Sequence, residues 1–97
     1  MGMQSTSREI LLKSVAYHAS DGVLHYVFLV GEAEFYFLAR IRSIGGIRGV
    51  EYTDALERFL MSIMPEDPGI SKKICAISLG CADGVDFSFP VNLVEAK

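Results

Sequence analysis

Two histidines and an arginine are the side chains of this sequence best suited to chemistry: His18, His25 and Arg40. An imidazole changes charge near neutral pH, and a guanidinium carries a fixed charge on a planar fork of donors. Gathered on an otherwise apolar surface, they would hold a small anion or carboxylate, so a small acidic ligand is one expected partner. Whether they meet depends on strand register. Asp21-Gly22 is a strong signal for a two-residue type I′ hairpin turn, and Gly31-Glu32 fits a type II′ turn with glycine first. With both loops at two residues, His18 stands directly opposite His25, with Cβ atoms about 5 Å apart. Arg40 then faces Val23 on the third strand, diagonal to His25. The same register puts Val27, Tyr36 and Leu38 on the histidine face, which makes those six residues the candidate ligand or interface set.

Other reactive side chains make weaker patterns. Cys75 and Cys81 could join the histidines as zinc ligands by type. The Cys-x5-Cys spacing is not a tight knuckle, and on a strand six residues span about 20 Å. No metal, cofactor or intrachain disulfide is expected. Gly45-Gly46-Ile47-Arg48-Gly49 ahead of a helix is a weak anion-loop candidate, through exposed amides and the Arg48 charge. It matches neither of the glycine-rich phosphate signatures. Ser14, His18 and Asp21 do not make a nucleophile and base, because Ser14 and His18 lie about 13 Å apart along a strand. With no catalytic constellation, the chain reads as a binding protein rather than an enzyme.

The elements that position these residues follow from patterning. Strands are expected over 9–19, 23–30 and 33–42, where branched and aromatic residues dominate. One face gathers Val15, Tyr17, Leu24, Tyr26, Phe28, Val30, Phe35, Phe37, Ala39 and Ile41; the other is the histidine face. Residues 44–49 read as a flexible connection. A helix is expected over 54–64, with Thr53 as N-cap and Leu56, Phe59, Leu60 and Ile63 as its apolar stripe. Pro65 ends it, and a turn-rich loop runs on to Gly69. Two further strands are expected near 73–79 and 85–94, the last at a sheet edge because Pro90 has no ladder donor.

The expected fold is α+β, a mainly antiparallel sheet of about five strands in β-β-β-α-β-β order with one helix packed on one face. Residues 1–8 read as a disordered N-terminus and 9–97 as a single domain. At 97 residues there is no room for a second core. Net charge is −3, with +1 on residues 1–50 and −4 on residues 51–97, so the basic footprint of nucleic-acid binding is absent. The hydrophobic fraction is 51% and mean hydropathy +0.33, yet no apolar run reaches the roughly 18 residues of a membrane span. The first residues show no charged-then-apolar leader, so a cytoplasmic setting is expected. One short helix covers one sheet face and leaves the other bare. The expected function is therefore a small non-enzymatic interaction or regulatory module, a homodimer through the histidine face or a binder of another protein. The alternative is an anion-binding domain built on His18, His25 and Arg40.

Overall fold

The computed structural model describes residues 9–63 and 69–94; the expected disordered start at 1–8 and the loop from Pro65 to Pro68 lie outside the described residues. Four strands form an antiparallel meander, β1 (Ile10–His18), β2 (Val23–Val30), β3 (Ala33–Ile44) and β4 (Ile47–Tyr52). Helices α1 (Asp54–Ile63) and α2 (Ile70–Ala82) follow, and a two-residue strand β5 (Val91–Asn92) closes the sheet in the order β4-β3-β2-β1-β5. The α+β class and the five-stranded antiparallel sheet are as expected. The element order and the helix count are not.

The second hairpin has the expected register. Val30 pairs with Ala33 and Val23 with Arg40 around Gly31-Glu32, with Gly31 at φ 62°. The first does not. His18 pairs with Val23 around a four-residue loop, and Ala16, not His18, stands opposite His25. A type I′ turn needs positive φ at both central residues, and here only Gly22 has it, at 70°. Asp21 instead accepts the Val23 N–H on its side chain at 3.2 Å, an Asx-type bond that stabilises the longer loop. Because the register moves by two residues, each side chain of 14–18 stays on its expected face. Upstream, a bulge at Lys13 adds one residue between Leu12 and Ser14. That single extra residue turns Ile10 and Leu12 onto the core face, where both are fully buried.

Three expectations at the C-terminal half are corrected. Residues 44–49 are no flexible connection: Gly45 and Gly46, at φ 60° and 82°, form a tight hairpin turn between paired Ile44 and Ile47. Residues 73–79 belong to α2 rather than a strand, so the sheet face carries two helices and not one. Of the expected strand over 85–94, only Val91 and Asn92 pair, with Leu12 and Leu11, at the sheet edge.

Both helices lie on the aromatic face. Leu56, Leu60 and Ile63 of α1 and Ile70, Ile74 and Ile77 of α2 are buried against Leu24, Tyr26, Phe28 and Ala39. Phe59 packs among Phe28, Phe35 and Phe37 at ring-centroid distances of 5.0, 5.3 and 4.8 Å. Thr53 caps α1 as expected: its Oγ1 accepts the Leu56 N–H at 3.4 Å and donates to the Leu38 carbonyl at 3.0 Å. The buried polar side chain in this core is Ser78, whose hydroxyl donates to the Ile74 carbonyl at 2.6 Å. Having one proton, Ser78 must accept from the Tyr26 hydroxyl, 2.6 Å away, and the pair pins α2 to β2.

Candidate functional site

With both helices on one side, the opposite side of the sheet has no covering element among the described residues. The alternation of strand side chains places there His18 of β1, Val23, His25 and Val27 of β2, and Tyr36, Leu38, Arg40, Arg42 and Ile44 of β3. The six candidate residues therefore share one face. Val27 stands opposite Tyr36, His25 opposite Leu38 and Val23 opposite Arg40. His18 and His25 meet on the diagonal, with ring centroids 4.3 Å apart and planes inclined at 50°. Tyr36 is 70% exposed and Leu38 45%, an uncommon exposure for such side chains in mid-strand.

Charged groups frame this apolar strip. At one end Glu34 accepts the Tyr36 hydroxyl at 2.7 Å and forms an ion pair with Lys13. Those two hydrogen bonds, with Lys13 dominant, hold the Glu34 carboxyl below its usual range, and Glu34 in turn raises the Tyr36 phenol. At the other end Arg42 donates to Glu51 at 3.0 Å. Arg40 lies between, across from Glu51, and makes no salt bridge among the described residues. A hollow of about 310 Å³ beside it is lined by Val23, Leu38, Arg40, Glu51, Tyr52 and Thr53. Burial pushes the Tyr52 phenol up to about 12, so it stays a neutral wall.

Gly45, Gly46, Arg48 and Gly49, the weak anion-loop set, lie in the β3–β4 hairpin, away from the α1 N-terminus that begins at Asp54. The Arg48 guanidinium is bound by both Asp83 oxygens, at 2.9 and 2.8 Å, just past the end of α2. Cys75 and Cys81 are free thiols on α2, and burial raises the Cys81 thiol. No group of three or more His, Cys, Asp or Glu able to hold a metal stands together among the described residues. No helix among them is long and apolar enough to cross a membrane.

The sequence reading missed two exposed residues. Ile44 and Ile47 pair across the hairpin tip and are 71% and 77% exposed. Their signal was the Gly-Gly dipeptide between two isoleucines, which marks a hairpin tip rather than a linker. The whole surface can hold another surface: it carries exposed apolar side chains with charged groups at its rim.

No family model matches the chain. It is 36% identical over 94 residues to Cysteine protease immunity 1 of Escherichia coli O1:K1:H7, and the match covers 97% of this chain and 98% of that protein.

Proposed function

The chain belongs to the family of Cysteine protease immunity 1, and from that premise we propose that it is an immunity protein, one that neutralises a cysteine protease by binding it. The observation that carries this reading is the uncovered sheet face. Tyr36 and Leu38 stand exposed on it, and His25, opposite Leu38, leads on to His18, Arg40 and Arg42 along the same face. Tyrosine and arginine sharing one exposed face match the composition enriched at protein-binding hot spots. Neutralisation by binding needs occlusion and no chemistry.

The test uses the cysteine protease against which the E. coli relative gives immunity, with that relative as positive control. This chain forms a stoichiometric complex with the protease and abolishes its peptidase activity. Leu38→Glu, which puts a charge at the apolar centre, weakens the complex by about 2 kcal/mol or more, some thirtyfold in Kd. A chain that neither binds nor inhibits, while the relative does both, overturns the reading.

Self-pairing through the same face is a second reading, supported by the exposure of Tyr36 and Leu38 without a covering helix. The mass of the isolated protein at micromolar concentration decides it. A small acidic ligand at His18, His25 and Arg40 has less support, because Glu51 stands directly across from Arg40 and offsets its charge.

A further inference from the structure

We infer that the β3–β4 hairpin, carrying Ile44 and Ile47 at its tip, is the element that enters the substrate cleft of the protease. This rests on the immunity reading above and assigns which part of the molecule does the blocking. Pairing between β3 and β2 ends at Arg40, and Ile41 makes a last hydrogen bond to the Gly22 carbonyl at 3.1 Å. From Arg42 onward β3 has only β4 beside it, so a two-stranded ribbon reaches about 10 Å further to the Gly45-Gly46 turn. Flat sheet faces fit flat surfaces; a narrow ribbon fits a groove, and protease clefts are concave.

The ribbon has three properties of an inserting element. Its tip is apolar where none of the described residues covers it, with Ile44 and Ile47 directly opposed and both exposed. β4 is the outer strand of the sheet among the described residues, so its far backbone edge can pair with an extended wall of a cleft. Gly49 leaves that strand without a side chain at mid-length, and even a Cβ there would meet no atom within 4 Å. Glycine within a strand permits close approach by another backbone. A groove of about 570 Å³ runs beside it, lined by residues that include Ile44, Ile47, Gly49 and Glu57.

The ribbon is also held in place before any partner arrives. Arg48 clamps it to Asp83 at the end of α2, and Arg42 ties it to Glu51 within the hairpin. Preorganisation of this kind lowers the entropic cost of association. It is continuous with the sheet face as well, since Tyr36, Leu38, Arg40, Arg42 and Ile44 form one row along β3. The face anchors the protease and the ribbon closes its cleft.

The experiment measures hydrolysis of a short fluorogenic peptide by the same protease, with the full chain as inhibitor. A ribbon in the cleft makes inhibition competitive, raising apparent KM and leaving kcat unchanged. Ile44→Ser/Ile47→Ser, at exposed positions that do not support the core, raises the inhibition constant at least about tenfold. Gly49→Val, which fills the close-approach position, does the same, and both variants keep the wild-type melting temperature. Noncompetitive inhibition by the wild type, or unchanged inhibition by both variants, overturns the ribbon assignment alone. Absence of any wild-type complex overturns the immunity reading instead.

Discussion

Ser78 illustrates how one polar side chain can set the position of a helix. Its hydroxyl is fully buried between Ile74 and Tyr26, and each partner uses a different capacity of that group. Ser78→Ala leaves the buried Tyr26 hydroxyl with no acceptor, a loss of about 1–3 kcal/mol. Tyr26→Phe removes the donor and leaves Ser78 still bonded to Ile74, so the loss is smaller, about 1 kcal/mol. Urea unfolding should rank the two in that order, and the double variant should cost less than their sum because one interaction is removed twice. Burial holds the Tyr26 phenol far above its ordinary value, because desolvation outweighs the opposing effect of the Ser78 contact. The histidine pair shows the opposite case, a surface contact that survives on the diagonal although the four-residue loop brings Ala16 opposite His25.

Helix α2 meets its surroundings through Gly80 and Asp83. Glycine in a helix normally costs about 1 kcal/mol relative to alanine, so Gly80→Ala would ordinarily stabilise. Here the added Cβ would stand 2.6 Å from Phe87 Cζ, which packs against the core cluster. The clash exceeds the propensity gain, and the variant melts several degrees lower, at the scale of about 4–8 °C per kcal/mol for a domain of this size. Asp83 adds a pH dependence. The Arg48 hydrogen bonds hold its carboxyl below the ordinary value of 3.8, so the folded state is favoured above that pH and loses the contribution as pH falls through the lowered value. Arg48→Gln returns the Asp83 carboxyl toward its ordinary value in an NMR titration and flattens this acid-side loss of stability. Unchanged titration of Asp83 in that variant would remove the clamp from the account of the ribbon. Strand β4 and helix α2 were both legible in principle. Ile44-Gly45-Gly46-Ile47 carries a hairpin turn, and Ile70, Ile74, Ile77 and Cys81 recur at helical spacing. Branched side chains and an internal glycine, weak helix formers, obscured the second signal until packing against β1 and β4 decided it.

At the scale of the molecule, the described residues make two layers, a sheet with both helices on one side. Stability therefore resides on the helix side, and the bare side is free to evolve for recognition. Substitutions on that face, such as Tyr36→Ala, should leave the unfolding free energy within about 0.5 kcal/mol of wild type while lowering affinity for the protease. A face variant that unfolds the chain would mean that the bare side supports the fold. Light scattering at micromolar concentration measures the other use of the face: a mass of 10.7 kDa leaves it open to a different protein, and twice that mass means that copies pair and can compete with the protease for it.

The sequence by itself determined which side chains share a face, because alternation survives any even shift of register. Ala16 replaced His18 opposite His25, yet both histidines remained beside Leu38 and Arg40. It also determined the α1 stripe of Leu56, Phe59, Leu60 and Ile63 and the aromatic surface that receives it, since local periodicity alone specifies both. Only the tertiary structure decided that a second helix would join α1 on that side, that 85–94 would keep just two paired residues, and that the β3–β4 ribbon would project beyond β2. Those outcomes depend on burial between segments far apart in the chain. No local pattern encodes which of two amphipathic faces another segment will cover; the free energy of removing the larger apolar surface from water does.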